Sequence, residues 1–268
     1  MPTITVNNAD IYYEDSAPND TQKPVIVFAH GLLWSSQMYD KQVEHFQTDY
    51  RCIAFDFRGQ GQSQVTKSGY DMETLTEDTL GLLAALGIDK CHFVGLSMGG
   101  FVAQRIALKR PELLLSLTLL ETSADPEDPK NIPQYRKLVK AIRWLGMKRV
   151  SNKVMPIMFG STFLADKLRK SDRKQWLTML QSNRKGGVVK ATMGVIERTG
   201  TYEQLGEITT PTLIVVGDAA TPYAKSERMH FAIAGSKLAI IKGAGHTSTV
   251  EEPDQVNQVL RQFLESCA

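Results

Sequence analysis

The fold is decided by the stretch Cys91-His92-Phe93-Val94-Gly95-Leu96-Ser97-Met98-Gly99-Gly100, which runs on into a segment from Phe101 to Arg110. Its first part is a short β-branched and aromatic run typical of a buried strand, and its last part carries apolar residues at helical spacing. Between them, the residues from Gly95 to Gly99 fit the pattern G-x-S-x-G, a sharp strand-to-helix turn whose glycines let helix and strand approach closely. A serine at such a place can also be a simple helix N-cap. Because both the strand and the helix are present, we predict that Ser97 is a nucleophile exposed above a sheet.

The composition is that of an ordinary globular protein. The chain has 268 residues, of which 42% are hydrophobic and 22% charged, and its formal net charge of +2 gives no indication of a nucleic-acid partner. Residues 1–7 lack the basic and apolar regions of a signal peptide, and no stretch holds the roughly 18 uninterrupted apolar residues of a membrane span. The three cysteines stand at no metal-like spacing. We therefore expect a soluble cytoplasmic protein with free thiols, no metal and no membrane association.

A second continuous apolar run, residues 25–29, predicts a central parallel strand covered by helices on both faces. It ends at His30-Gly31-Leu32-Leu33-Trp34, and the loops that follow such strands face the crevice in which ligands bind. Gly31 lets the backbone approach a substrate oxygen, so the amide of Leu32 is a candidate donor to that oxygen. The loop from Asp56 to Ser63 holds an Asp and an Arg among glycines, and we predict that it is structural and closed by hydrogen bonds to backbone groups.

No convincing strand is found between residues 124 and 206, where short helical patterns are separated by glycine and proline. Because strand-like chain lies on both sides, we predict a core of residues 1–123 and 207–268, with residues 124–206 inserted as a helical lid over the crevice. One glycine and four aromatic residues are candidates for substrate binding, namely Gly31, Trp34, Trp144, Phe159 and Trp176. The lid aromatics are equally compatible with a small core of the lid itself.

Three more polar residues stand at the ends of predicted strands. They are Glu121, Asp218 and His246, and the last lies in a loop whose glycines let it turn freely. In chain order the sequence therefore offers Ser97, an acid and then His246. A histidine can take the proton of a serine hydroxyl as that hydroxyl attacks a carbonyl carbon, and an acid can hold the imidazole in the required tautomer.

This order of residues, with the motifs around them, resembles the α/β-hydrolase superfamily over essentially the whole chain. The motifs that carry the resemblance are His30-Gly31-Leu32, Asp56-Phe57-Arg58-Gly59-Gln60-Gly61, Gly95-Leu96-Ser97-Met98-Gly99-Gly100, Asp218-Ala219-Ala220-Thr221-Pro222 and Gly245-His246. The size and the inserted lid look most like the small bacterial lactonase and esterase branch, which includes 3-oxoadipate enol-lactonase and acyl-homoserine-lactone hydrolases. The resemblance implies an α/β fold with a mostly parallel eight-stranded sheet, helices on both faces and no cofactor.

The resemblance also implies the roles of single residues. Ser97 is the expected nucleophile, His246 the general base and Asp218 the acid of a catalytic triad. The backbone amides of Leu32 and Met98 occupy the two positions of an oxyanion hole, which stabilises the negative charge that develops on the carbonyl oxygen.

One departure from the family pattern concerns the acid. Relatives commonly place it further from the glycine that ends the strand, whereas here Asp218 follows Gly217 directly in a loop that looks shortened. The spacing from Asp218 to Thr221-Pro222 is kept, so Asp218 remains the predicted acid. Glu121 is the alternative candidate, because in this fold the acid that contacts His246 can also come from the end of the strand that precedes the Asp218 strand in the chain.

The expected function is hydrolysis of a small carboxylic ester or lactone through an acyl-enzyme, by a monomer or a homodimer. A carbon–carbon bond hydrolase and a cofactor-free perhydrolase remain open, because both can use the same triad. A ligand-binding member of the fold that does not turn over also remains open. A haloalkane dehalogenase or an epoxide hydrolase is disfavoured, because those enzymes use Asp at the position of Ser97.

The charge is divided unevenly along the chain. Residues 131–190 hold 15 Lys and Arg against two acidic residues, a local net charge of +13 that the overall +2 hides. Solvated outer faces of the lid helices explain these cations adequately. The alternative hypothesis is that some of them face the lid entrance and attract an anionic substrate.

Overall fold

A computed structural model describes residues 2–20, 22–220 and 223–267. The strands are β1 Thr3–Val6, β2 Ala9–Asp15, β3 Val25–Ala29, β4 Arg51–Phe55, β5 Cys91–Leu96, β6 Leu114–Leu120, β7 Thr212–Gly217 and β8 Lys237–Ile241. They form one sheet in the order β1-β2-β4-β3-β5-β6-β7-β8. The first two strands pair antiparallel at one edge. The six strands from β4 to β8 in this sheet order, β3 included, pair in parallel. The predicted mostly parallel eight-stranded sheet is confirmed.

Helices cover both faces of this sheet. They are α1 Asp40–Phe46, α2 Met72–Ala85, α3 Met98–Lys109, α4 Ile132–Leu145, α5 Met147–Met158, α6 Ser161–Ala165, α7 Lys170–Ser182, α8 Lys185–Ile196, α9 Tyr223–Ala232, α10 Ser248–Glu251 and α11 Pro253–Glu265. Within β3, Ile26 and Phe28 point into the core that contains α1 and α11. Val27 and Ala29 point into the opposite core with α2 and α3. Burial on both faces explains why β3 is a continuous apolar run.

The helices α4 to α8 lie between β6 and β7, within residues 124–206 of the predicted lid. Their apolar residues, such as Ile142, join the core on the α1 and α11 side. Polar contacts also fasten the lid to the strand-end loops, because Nδ2 of Asn183 donates to the carbonyl of Leu33 at 2.8 Å and Oγ1 of Thr247 donates to the carbonyl of Met158 at 2.7 Å. Across the described ranges, none of the helices combines the length and the apolar character needed to cross a membrane.

The junction of β5 and α3 is tight, as the glycines around Ser97 predict. Ser97 has a φ of 53° and a ψ of −110°, and a positive φ costs a residue with a side chain of order 1–3 kcal/mol. A Cβ atom on Gly95 would come within 2.4 Å of the carbonyl oxygen of Gly99, and one on Gly99 within 2.0 Å of that of Ala29. Larger residues would push the helix off the strand, so these glycines hold the serine hydroxyl at the end of β5.

Candidate active site

Ser97 and His246 meet at the ends of β5 and β8. Nε2 of His246 lies 3.0 Å from Oγ of Ser97, which is hydrogen-bonding distance. Both residues line a cavity of about 340 Å³ beneath the lid. Burial lowers the pKa of His246 to about 4, so the imidazole is neutral near pH 7 and can accept a proton. The pair therefore has the geometry and the protonation state of a nucleophile and its general base.

The loop after β3 brings backbone amides close to this pair. A Cβ atom on Gly31 would lie 3.5 Å from Cβ of Ser97, so the backbone passes beside the nucleophile, and Leu32 lines the cavity. The loop is held by Leu33, which has a φ of 74° and donates its N–H to Oε1 of Gln60 at 2.7 Å. In the ranges that the structure describes, the amides of Leu32 and Met98 donate to no backbone carbonyl. Both remain free to bind an oxyanion.

His30 fastens this loop from below. Because the amide of Phe57 can only donate, Nε2 of His30 accepts it at 2.9 Å, and Nδ1–H therefore donates to the carbonyl of Gly31 at 2.7 Å. Burial lowers the pKa of His30, which favours the neutral ring that these two bonds require. Asp56 closes the neighbouring loop by accepting two backbone N–H groups at 2.7 Å. The predicted closure of this loop by hydrogen bonds to backbone groups is confirmed.

Asp218, the predicted acid, lies at the surface. Its Oδ1 accepts the backbone N–H of Gly243 at 2.9 Å, and its side chain is exposed. The Thr221-Pro222 part of its motif falls outside the described residues. Within the described ranges, no carboxylate makes a hydrogen bond to Nδ1 of His246. The acid that orients the imidazole is therefore not identified by an existing contact.

Glu121, the alternative candidate for the acid, is buried at the end of β6 and lines the same cavity as Ser97 and His246. Its Oε1 accepts the backbone N–H of Gly217 at 2.8 Å. Its Oε2 is buried and has no hydrogen-bond partner among the described residues. Burial raises the pKa of this carboxyl to about 8.

The aromatic residues predicted to bind substrate lie elsewhere, and that prediction needs correction. Trp144 is 84% exposed. The ring of Trp34 packs edge-on against the rings of Phe159 and Trp176, at centroid distances of 5.6 and 5.3 Å. Neither Trp144 nor these three residues line the cavity that holds Ser97. Aromatic rings gain stability by packing edge to face against one another, so the three buried rings contribute to the protein core. Gly31 lies beside the nucleophile but is likewise not among the residues that line the cavity.

The cavity walls are instead aliphatic. They come chiefly from α4, α5 and α8, through Leu138, Ile142, Val154, Ile157, Val195 and Ile196. Periodicity alone did not single out these residues, because the stripe that lines a cavity and the stripe that packs in a core have the same spacing.

A buried ion pair contributes to the cavity wall. Nη1 of Arg198 lies 2.9 Å from Oε2 of Glu127, and the guanidinium lies 4.2 Å from the ring centroid of Phe101. All three residues line the cavity. Arg198 is thus already engaged by a carboxylate and an aromatic ring, which leaves little of its charge for a substrate.

None of the 15 cations of the lid lines this cavity. The charged residues that do line it are Glu121, Glu127, Arg198 and Lys225. These cations therefore lie outside the cavity wall, and the hypothesis that some of them face the lid entrance and attract an anionic substrate stays a prediction. The lid surface is basic, but the cavity wall beneath it is mostly neutral and apolar.

Glu251 is a buried carboxylate whose contacts the sequence did not reveal. Its Oε2 accepts the backbone N–H of Gly160 at 2.7 Å and of Gly245 at 3.0 Å, and its Oε1 accepts that of Thr247 at 2.9 Å. Gly160 belongs to the lid, whereas Gly245 and Thr247 flank His246. One buried carboxylate therefore joins the lid to the histidine loop. No local pattern could have shown this, because 91 residues separate Glu251 from Gly160.

The eight-stranded sheet, the serine turn and the histidine loop together define a hydrolase. The chain belongs to the α/β-hydrolase fold family, whose sequence model matches residues 24–253. A thermophilic esterase from Thermogutta terrifontis is 30% identical with a TM-score of 0.88, and the superposition covers 99% of this chain and 97% of that one. The enol-lactonase from Burkholderia xenovorans LB400 is 25% identical with a TM-score of 0.91, over 98% of this chain and all 100% of that one.

A sequence relative points to the same branch. The 3-oxoadipate enol-lactonase 1 of Acinetobacter baylyi is 28% identical, over 91% of this chain and 89% of its own length. The predicted resemblance to the lactonase and esterase branch is confirmed.

Proposed function

We propose that this chain is a serine hydrolase that cleaves a small carboxylic ester or lactone through an acyl-enzyme intermediate. The observation that carries the proposal is the 3.0 Å contact between Nε2 of His246 and Oγ of Ser97 at the wall of a cavity under the lid. The esterase and the enol-lactonases named above support it, because ester and lactone bonds are broken by the same attack on a carbonyl carbon.

The reaction follows from these positions. His246 takes the hydroxyl proton on Nε2 as Oγ of Ser97 bonds to the carbonyl carbon, because a free serine hydroxyl is a poor nucleophile at neutral pH. The imidazolium then gives that proton to the leaving alkoxide oxygen as the ester bond breaks. Water, deprotonated by the same nitrogen, attacks the acyl carbon. The imidazolium then returns that proton to Oγ of Ser97 as the bond between Oγ and the acyl carbon breaks and the acid leaves.

The negative charge on the carbonyl oxygen requires donors that are already in position. The amide of Met98 is the first of α3 and is adjacent to Ser97, and the amide of Leu32 lies in the loop that passes beside the nucleophile. At the start of α3 the helix dipole adds positive potential. Loss of one such donor typically costs about 10²- to 10³-fold in kcat.

The cavity favours an uncharged, apolar acyl group. Its volume of about 340 Å³ is near the lower end of the range for small-molecule sites, roughly 300–1,000 Å³. Aliphatic side chains from the lid form much of the apolar part of the wall, and Arg198 is already paired with Glu127. A short to medium acyl chain can exclude water there, whereas a carboxylate would lose its hydration and, among the described residues, meet an unpaired cation only at Lys225.

A substrate panel tests this proposal. We expect p-nitrophenyl esters of increasing acyl length, γ-lactones including acyl-homoserine lactones, and an enol-lactone to give measurable kcat/KM, with neutral apolar acyl groups preferred. Ser97→Ala should lower kcat by about 10⁴-fold or more, whereas Ser171→Ala, a change at an exposed lid serine, should not. Turnover of carbon–carbon substrates or peracid formation, with no hydrolysis of any ester or lactone, would contradict it.

A further inference from the structure

The carboxyl group of Glu121 lies between the nucleophile strand and the histidine loop. Leu120, the residue before it, pairs with Leu96, and the amide of Ser97 donates to the carbonyl of Leu120 at 2.8 Å. Glu121 and Ser97 therefore follow paired residues on adjacent strands. On its other side, Glu121 holds the amide of Gly217.

Gly217 in turn packs against the loop that carries His246. A Cβ atom on Gly217 would come within 2.2 Å of the carbonyl oxygen of Ala244 and within 2.9 Å of that of Gly245. The absence of a side chain at this position lets the histidine loop lie directly over the end of β7. Glu121 is thereby linked to this loop through Gly217.

One half of the Glu121 carboxyl has no partner. Oε1 is used by Gly217, whereas Oε2 is buried and makes no hydrogen bond within the described part of the chain. An unsatisfied buried acceptor costs about 1–3 kcal/mol, and more when the group is charged. The residue also has a φ of 48°, a further cost for a residue with a side chain. The unsatisfied oxygen and the positive φ both destabilise the fold, which indicates that Glu121 has a role other than stabilisation.

The side chain of Asp218 lies away from the cavity that contains Glu121 and His246. Its side chain is exposed, it accepts the amide of Gly243, and it does not line the cavity. The short connection from Gly217 leaves it at the rim of the sheet. Of the two acids considered from the sequence, Glu121 alone shares the cavity with His246 in the described structure.

We propose that Glu121, and not Asp218, is the carboxylate that positions His246, with Oε2 accepting the Nδ1–H of the imidazole. This role rests on the proposed function. When Nε2 takes the proton of Ser97, Nδ1 keeps its own proton, and Glu121, which must be ionised for catalysis, stabilises the imidazolium. No proton moves to the carboxylate. Glu121 acts through His246 and is therefore a positioning residue.

The charges around Glu121 fit this role. Burial and the nearby Glu251 raise its pKa, while the amide of Gly217 and the hydroxyl of Ser248 lower it. Ser248, two residues after His246, is close enough to Glu121 to lower its pKa, but its Oγ lacks the geometry of a hydrogen bond to any group in the described ranges. The other charged groups of the cavity are Lys225 and the Glu127 and Arg198 pair, and none of them contributes to the pKa of Glu121. The imidazolium formed during catalysis supplies the cation that this carboxylate lacks.

Glu121→Gln is the test, because glutamine keeps the shape and can still accept the amide of Gly217 but cannot carry the charge. We expect kcat to fall by about 10³- to 10⁴-fold with KM within about 3-fold of wild type, as loss of the acid does in a Ser-His-Asp enzyme. Asp218→Asn should stay within about 3-fold of wild type in both constants, because its side chain is exposed. Glu121→Asp, which keeps the charge, should recover part of the lost kcat.

The pH profile separates positioning from a purely structural role. Catalysis requires Glu121 ionised and His246 neutral, so kcat/KM of the wild type should rise with pH and level off above about 8, the pKa of Glu121. In Glu121→Gln only His246 titrates, and the acid limb should move toward pH 4. A structural role would lower activity without moving this limb.

Two results would overturn the proposal. One is a folded Glu121→Gln variant whose kcat lies within about 10-fold of wild type, and the other is a large loss of kcat in Asp218→Asn with none in Glu121→Gln. Labelling of wild-type Ser97 by an organophosphonate distinguishes failure of the positioning role of Glu121 from failure of the proposed hydrolase function. If the wild type is labelled and Glu121→Gln is active, only the positioning role fails. If the wild type is not labelled, the proposed function itself fails.

Discussion

Nε2 of His246 lies 3.0 Å from Oγ of Ser97, although 149 residues separate the two in the chain. The distance is set by elements that bury both faces of one parallel sheet. The tight turn after β5 fixes the serine, and the loop after β8 fixes the histidine above the same edge. The lid helices close the apolar cavity over them.

Glu251 should control both stability and activity, because its carboxylate accepts backbone N–H groups from the lid and from the histidine loop. Glu251→Gln replaces one acceptor oxygen by an NH₂ group that faces N–H donors. We expect the free energy of unfolding to fall by about 1–3 kcal/mol, with a lower kcat because the histidine loop is less firmly held. Thermal unfolding and ester hydrolysis measure the two effects. Glu203→Gln, at an exposed position, is the matched control, and equal behaviour of the two variants would remove Glu251 from this role.

A charged residue in place of Ile157 should change the selectivity for the acyl group. Ile157 lines the cavity, although it is 51% exposed. The exposure means that Ile157→Lys should leave the fold intact. We expect kcat/KM for apolar acyl esters to fall and for esters with an anionic acyl group to rise, so that the ratio changes by about 10-fold, equivalent to about 1.4 kcal/mol.

Leu168→Lys is the control for this change, because Leu168 is 93% exposed and does not line the cavity. It adds the same charge to the lid at a distance from the substrate. A similar shift of selectivity in both variants would show that the general field of the lid, and not the cavity wall, selects the acyl group.

The buried carboxyl of Glu121 should make stability depend on pH. Its pKa rises from 4.5 to about 8 on folding, so between these values the folded state binds the proton and the unfolded state does not. Stability from this group is therefore lost as the pH rises toward 8. Glutamine does not titrate, and the Tm of Glu121→Gln relative to wild type should increase from pH 5 to pH 8.5. Asp218→Asn should show no such trend, and a constant difference for Glu121→Gln would contradict the burial of a titrating carboxyl.

Much of the fold was predictable because its signals are local. The apolar runs of β3 and β5 and the glycines around Ser97 are adjacent in sequence, and each pattern is typical of one structure. The position of His246 followed from the rule that parallel strands end at the same edge.

The rest of the fold and of the site depends on the directions in which side chains point, and the sequence does not show these directions. Trp34, Phe159 and Trp176 are compatible with either a pocket or a core, and only packing shows that they bury one another. The shortened loop at Asp218 was visible, but its consequence, a side chain that points to solvent, was not. The contribution of Glu251 arises from contacts across the chain and has no local pattern.

Covalent labelling is the most direct measurement of the central claim that Ser97 is a nucleophile activated by His246. An organophosphonate should add once to the native protein, and mass spectrometry should locate the adduct in the peptide that carries Ser97. Ser97→Ala should not be labelled, and His246→Ala should be labelled far more slowly, since the hydroxyl then lacks its base. An adduct on another residue, or ester hydrolysis at the wild-type rate by Ser97→Ala, would contradict the claim.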